Sequence, residues 1–372
     1  MERAELAAWL RLALTPGVGN LTARQLLRAF GLPQAIFEQA PDALAQVAPA
    51  QARALLTEPA DLALQLETTW DWLQAGAGRA VLVLGDPAYP AALLQMADPP
   101  LLLYALGRPL PQAGPALAVV GSRNPSAQGL QNARRFGRAF AEAGITVVSG
   151  LALGIDGAAH EGALEGAAPG ALATIAVVGT GLDRVYPKQH HALAHRIAER
   201  GTVLSEYPLG TPPLRENFPK RNRLIAGLSQ GTLVVEAALQ SGSLITARLA
   251  AEQGKEVFAI PGSIHSPHAR GCHALLRQGA KLVESAQDVL EELRLAPAGA
   301  SETAPAASGP PETEEGEDPL LAALGYDPIG LDALIARTGI PAPRLQATLL
   351  ELELAGQVAR LPGGLFQRVG LA

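Results

Sequence analysis

The sequence predicts an α/β fold: a Rossmann-like, doubly wound and mostly parallel sheet, with a small helical domain before it and a winged-helix domain after it. Three observations lead there. Between residues 79 and 295 short apolar runs alternate with longer stretches of helical spacing, the pattern of strand, crossover and strand. Most of the runs are apolar throughout rather than alternating, as strands covered on both faces require. A chain of 372 residues, 48% apolar, also exceeds what one core organises, so further units are expected on either side.

In chain order, residues 1–75 read as short helices, with apolar spacing in Leu6–Leu14 and Leu21–Phe30. Thr15-Pro16-Gly17-Val18-Gly19-Asn20 between them has the form of a helix-hairpin-helix turn, whose glycines let amides approach a phosphate. Arg11, Arg24 and Arg28 are near, yet residues 1–107 carry a net charge of −4, so packing or partner contact is expected here rather than DNA contact.

Strands are expected at Ala80–Leu84, Leu101–Leu106, Ala116–Val120, Ile145–Ser149, Ala173–Val178, Thr202–Leu204, Thr232–Val235 and Glu256–Ile260. Helices at Ser126–Ala143, Ile155–Gly166, Gln189–Arg200, Phe218–Gly227 and Ser243–Gln253 are each long enough to cross over and cover a sheet face, which defines a second domain over 79–295. Residues 296–318 are rich in Ala, Pro, Ser and Gly and hold Glu302, Glu312, Glu314, Glu315, Glu317 and Asp318; a disordered acidic linker is expected. In 319–372, helices at Leu331–Thr338 and Pro343–Ala355 and a hairpin of Val358–Leu361 and Leu365–Val369 suggest the winged helix. Its second helix sets Arg344 against Glu351 and Glu353, which weakens a DNA-reading role and leaves protein contact as the rival.

The net charge of −6 conceals a basic middle: residues 108–294 carry +4 and residues 295–372 carry −6. The single cysteine, Cys272, excludes an intramolecular disulfide and a row of metal-binding thiols, and fits a reducing, cytoplasmic compartment. No apolar run approaches the roughly 18 residues of a membrane helix. Glu2 and Glu5 stand where an export signal would carry positive charge.

Ligands of an open parallel sheet sit beyond the carboxyl ends of its strands. There the chain has Gly121-Ser122-Arg123-Asn124-Pro125-Ser126, then Ser149-Gly150-Leu151-Ala152-Leu153-Gly154-Ile155-Asp156, then Gly179-Thr180-Gly181, loops expected to offer backbone amides to phosphates. Asn217-Phe218-Pro219-Lys220-Arg221-Asn222-Arg223 adds three cations and an aromatic, and Ser241-Gly242-Ser243-Leu244-Ile245-Thr246-Ala247-Arg248 adds hydroxyls and a further cation. Repeated charge with an aromatic suits a single strand held by phosphates and a stacked base.

These blocks in this order, with Pro261-Gly262 after them, resemble the DprA/Smf family of DNA-processing proteins, whose longer members also carry a helical N-terminal and a winged-helix C-terminal module. The resemblance implies a cytoplasmic protein; the residues themselves form no catalytic, cofactor or metal constellation, so a non-enzymatic role is expected. Such a protein binds incoming single-stranded DNA in natural transformation without strong sequence preference, and double-stranded DNA more weakly. It protects that DNA, dimerises through its Rossmann-like domain and loads the RecA recombinase. Carried over by position, Arg123, Arg221, Arg223 and Arg248 line the DNA pocket, with Gly121, Ser122, Ser149, Gly150, Phe218, Asn222, Ser243 and Thr246 completing it and Lys188 and Lys220 as further candidates. Gly271-Cys272-His273 departs from the family's Gly-x-Asn.

Other signals are set aside. Gly179-Thr180-Gly181-Leu182-Asp183-Arg184 begins like a dinucleotide fingerprint but has Arg184 at the third glycine position, and no glycine loop continues into Gly-Lys-Ser/Thr. Asp156 and His160 share a helical face and are expected to serve capping and packing. His265, His268, Cys272 and His273 lack a paired Cys-x-x-Cys, His191 and His195 lack the metalloprotease glutamate, and no serine sits in a Gly-x-Ser-x-Gly elbow. Glu236 ends a strand and is expected to accept hydrogen bonds from a glycine loop. The rival function is a nucleotide-processing enzyme using Glu236 or Asp156 as acid or base; a third is an adaptor in which the terminal modules recruit proteins.

Overall fold

The computed structural model describes residues 1–110, 114–295, 319–326 and 328–369. Six helices open the chain: α1 (Arg3–Leu14), α2 (Asn20–Phe30), α3 (Pro33–Phe37), α4 (Pro41–Val47), α5 (Ala52–Leu55) and α6 (Leu62–Gln74). The apolar spacing of α1 and α2 buries Leu6, Trp9, Leu10, Ala23 and Leu26, and these side chains are continuous with the core under one face of the central sheet, where Val81, Tyr104 and Val203 lie. Val18 donates its amide to the Thr15 carbonyl at 3.1 Å while Gly17 takes a φ of +79°, closing the expected turn. Arg11 lies over the Phe37 ring and donates to the Leu55 carbonyl, and Arg24 donates to the Ala97 carbonyl, so both are engaged in packing.

Among the described residues the central sheet has nine strands: β1 (Arg79–Val83), β2 (Leu102–Gly107), β3 (Ala116–Val120), β4 (Thr146–Ser149), β5 (Thr174–Val177), β6 (Thr202–Ser205), β7 (Gly231–Val234), β8 (Glu256–Ala259) and β9 (Lys281–Leu282). Their spatial order is β1-β2-β6-β5-β4-β3-β7-β8-β9. From β6 to β9 every pairing is parallel; β2 pairs antiparallel with both β1 and β6. Every apolar run read as a strand is one, to within a residue or two. The crossovers are α8 (Ala127–Glu142), α9 (Ile155–Gly166), α10 (His191–Arg200), α11 (Asn217–Leu228), α12 (Ser243–Glu252) and α13 (Arg270–Arg277), with α7 (Ala91–Leu94) between β1 and β2 and α14 (Ala286–Glu292) after β9. The edge strand β9, two residues long, has no pattern that sequence reading can detect.

Small residues set how closely the layers approach. A Cβ on Gly137 of α8 or Gly162 of α9 would run into the backbone of the facing helix, at Ala159 and Arg134, so this helix pair packs through its glycines. His160 sits fully buried, its Nδ1 2.7 Å from the Thr174 hydroxyl. Burial pushes its pKa down to about 3, so the imidazole is neutral and part of the core.

The carboxyl end of the chain folds as α15 (Pro319–Leu324), β10 (Ile329–Gly330), α16 (Leu331–Thr338), α17 (Ala342–Leu354), β11 (Val358–Leu361) and β12 (Leu365–Arg368), the strands in the order β10-β12-β11. Leu334, Leu345, Leu349 and Phe366 form its core. Gly339, at φ +68°, ends α16 in the left-handed conformation that releases the chain into α17. The expected linker lies outside the described residues. Among those residues no helix is long and apolar enough to cross a membrane.

Candidate functional site

The sheet grows from β3 in two directions, through β4, β5 and β6 on one side and β7, β8 and β9 on the other. Such a reversal leaves a crevice beyond the carboxyl ends of the strands. Here it is a cleft of about 830 Å³, lined by the loops after β3, β4 and β7 and by the start of α11. Gly121, Ser122, Arg123, Phe218, Arg221, Asn222, Ser243 and Thr246 all border it, brought together from three segments spread between residues 121 and 246.

The aromatic wall is held in place from below. Asn217, buried at the start of α11, donates its side-chain amide to the Gly179 carbonyl at 3.1 Å, and the Tyr207 hydroxyl donates to the Asn217 carbonyl at 3.1 Å. These bonds seat α11 so that Phe218 faces Tyr186, ring centroids 5.6 Å apart, and Arg123, whose guanidinium carbon is 5.6 Å from the Phe218 centroid. Asn222 donates to the Gly242 carbonyl at 3.2 Å and ties α11 to the serine loop, where the Ser241 and Ser243 hydroxyls lie 2.7 Å apart.

Arg221 forms the floor. It is 4% exposed, one guanidinium nitrogen donates to the Val177 carbonyl, and its Nε has no partner among the described residues. Burial pushes its pKa down to about 10, still far above neutrality, so it remains a cation. Asp156 is buried nearby; burial raises its pKa, Arg221 opposes the rise, and its carboxylate accepts the Ala152 amide at 3.3 Å. Asp156 does not cap α9, whose N-cap is Gly154 without a side-chain cap bond; it braces the β4 loop instead and lines the cleft beside Arg221. Leu151, 1% exposed, holds a φ of +58° in that loop, a strained conformation for a branched side chain.

The glycine loops do not present a ring of free amides, as their composition suggests. The Ser122 amide donates to the Glu236 carbonyl at 2.8 Å, the Ser126 amide to the Glu236 carboxylate at 2.9 Å, and the Asn124 amide to the Ser122 hydroxyl at 3.1 Å. Glu236 thus places its carboxylate at the N-terminus of α8, where a nucleotide-binding sheet would hold a phosphate. It accepts hydrogen bonds from a glycine loop, as expected.

A family model described as DNA recombination-mediator protein A matches residues 80–294, more than half of the chain, and one described as the DprA winged helix domain matches residues 304–364. The chain belongs to the DNA recombination-mediator protein A family. Protein Smf of Escherichia coli is 42% identical over 303 residues, 80% of each chain. The X-ray structure of DNA processing protein A from Streptococcus pneumoniae superposes with a TM-score of 0.66 at 36% identity, covering 78% of this chain and 98% of that one. DNA processing protein A of Helicobacter pylori, described for its unique single-stranded DNA binding mode, gives 0.52 at 32% identity, over 57% and 95%.

In this DprA-family chain six of the expected positions do not line the cleft. Ser149 is fully buried, donating to the Val119 carbonyl at 2.6 Å, and Gly150 lies against the Arg221 guanidinium, where a Cβ would collide with it. Both shape the floor. Arg223 points the other way: it pairs with Glu206, donates to the Asp98 carbonyl at 2.9 Å and meets the Asp98 carboxylate at 3.3 Å. Arg248 is exposed, 3.5 Å from Glu252, and borders a second cavity of about 580 Å³ between α12 and α13. Lys188 and Lys220 are exposed outside the cleft. Conversely Arg215, Tyr186, Asn124 and Gln240 border the cleft without having been singled out as site residues. Arg215 and Tyr186 lie in loops with no periodic signal, and only the folded chain brings them to Phe218.

Cys272 is fully buried with its thiol 3.6 Å from the Val234 carbonyl, and burial pushes its pKa up to about 12. His273 contacts the Gly262 carbonyl at 2.9 Å, so the departure at Gly271-Cys272-His273 packs this loop without entering the cleft.

Proposed function

We propose that the cleft holds single-stranded DNA without strong sequence preference, its phosphates paired by Arg123, Arg215 and Arg221 and a base stacked on Phe218. The arrangement of Arg123 beside the Phe218 ring, with Tyr186 next to it at the mouth of a cationic cleft, carries this reading. Aromatic faces accept any base and guanidinium groups accept any phosphate, so the pair selects a strand rather than a sequence. The single-stranded DNA binding described for the Helicobacter pylori relative supports it.

On the same reading the protein guards incoming DNA in natural transformation and passes it to the RecA recombinase. It works as a homodimer joined through residues 79–295, with 1–75 packed on that domain, 319–372 as a separate module and duplex DNA bound more weakly. No catalytic step is assigned. The single-nucleotide enzyme is less well supported, because Glu236, its candidate base, is engaged at the N-terminus of α8 and occupies the phosphate position.

Fluorescence anisotropy of a labelled single-stranded oligonucleotide over a salt series tests the proposal, with duplex and mononucleotide competitors and an Arg123→Ala variant. Tight, salt-sensitive binding that duplex displaces poorly and Arg123→Ala weakens is expected. Absence of binding, or displacement by micromolar mononucleotide, overturns it.

A further inference from the structure

Helix α17 buries Leu345, Leu349 and Leu352 against the core of its module and turns a different row outward. Leu350 is 56% and Leu354 82% exposed, and with Ala347 they form a stripe on the solvent side. Arg344 and Glu351 flank this stripe on one side, two helical turns apart, both exposed and neither in an ion pair among the described residues. With Arg344 balanced by Glu351 this face carries no net positive charge and exposes leucines, which sets it apart from a DNA-reading helix.

The face is complementary to itself. If two α17 helices pack antiparallel about a two-fold axis beside Ala347 and Thr348, residues 344 and 351 exchange places across the contact. Each Arg344 then meets the Glu351 of the other copy, twice over. The small Ala347 lies at the crossing, where helices need room to approach, and each Leu350 lies over the aliphatic stem of the opposite Arg344. A two-fold interface requires this reciprocity of one patch with itself. We propose that α17 is a self-association surface through which two copies of this chain pair their winged-helix modules. The inference is independent of single-stranded DNA binding in the cleft.

Cysteine cross-linking of the full chain tests it, and the buried Cys272 keeps the background low. Ala347→Cys should form disulfide-linked dimers under diamide, read on a non-reducing gel, whereas Leu354→Cys, roughly 20 Å from its counterpart in this register, should not. Adding Arg344→Glu to Ala347→Cys should slow cross-linking several-fold, and adding Glu351→Arg to that should restore it. Ala347→Cys that stays monomeric, Leu354→Cys that links as fast, or a charge swap without rescue overturns the proposal. Should Ala347→Cys stay monomeric while duplex DNA shields its thiol from maleimide, the face is a duplex contact instead.

Discussion

The guanidinium carbon of Arg123 stands 5.6 Å from the centroid of the Phe218 ring, although 95 positions separate the two in the chain. The loop after β3 supplies the cation and the first turn of α11 supplies the ring, so each depends on the sheet for its partner. A base stacked on Phe218 gains about 1–3 kcal/mol. Phe218→Ala should therefore weaken single-stranded DNA binding roughly five- to a hundred-fold, while Phe218→Tyr keeps most of the affinity. Equal loss in both variants would remove stacking from the account.

Counting cations at the cleft sets the salt dependence. The sequence blocks alone suggest four or five phosphate contacts and a log–log slope of roughly −3 to −3.5. Among the described residues only the cations Arg123, Arg215 and Arg221 border the cleft, which lowers the expected slope to about −2. Arg215→Ala should flatten it by about 0.7, and Arg248→Ala should leave it unchanged. A slope near −3 in an Arg215→Ala background would show that cations outside the cleft carry the strand.

Gly150 has one neighbour that matters. A methyl group there would fall on the Arg221 guanidinium, so Gly150→Ala must displace either the β4 loop or the arginine. Overpacking of this kind costs about 1–3 kcal/mol, and the displaced cation should weaken DNA binding as well. Thermal melting and anisotropy on the same sample check both, and a stable Gly150→Ala with unchanged affinity would free the floor of the cleft from this constraint.

The strand runs were legible because they are apolar on both faces, and the loops after β3, β4 and β7 were legible because the chain must leave a parallel sheet at its carboxyl edge. Side-chain direction was harder to read. Lys220, Arg221 and Arg223 look like one cluster in the sequence, yet residues two apart on a helix point about 200° apart. Arg221 therefore faces the cleft and Arg223 cannot. The amides of the β3 loop were misjudged for another reason: Glu236 comes from a strand end 110 residues away and takes the α8 N-terminus that composition assigned to a phosphate. Arg215 and Tyr186 lie in loops, where no period marks a functional side chain.

Arg223 yields the last prediction. Its side chain is 15% exposed and that of its partner Glu206 13%, so removing the cation leaves a carboxylate largely buried without its charge partner. Arg223→Ala should lose roughly 2–4 kcal/mol of stability at neutral pH. Burial already raises the Glu206 pKa above the ordinary carboxylate value, and Arg223 opposes that rise. A carboxyl whose folded pKa is raised binds its proton more tightly in the folded chain, so it favours folding at low pH and disfavours it as pH climbs past the unfolded value. Without Arg223 the folded pKa climbs further and the disadvantage at neutral pH grows. The melting-temperature gap between Arg223→Ala and the unaltered chain should therefore be widest near pH 7 and close toward pH 4. Glu206→Gln in the same background should narrow it at neutral pH. Single-stranded DNA affinity, measured well below the melting temperature, should change less than twofold, because Arg223 faces away from the cleft. A variant that keeps its stability and loses DNA binding would instead place Arg223 at the strand.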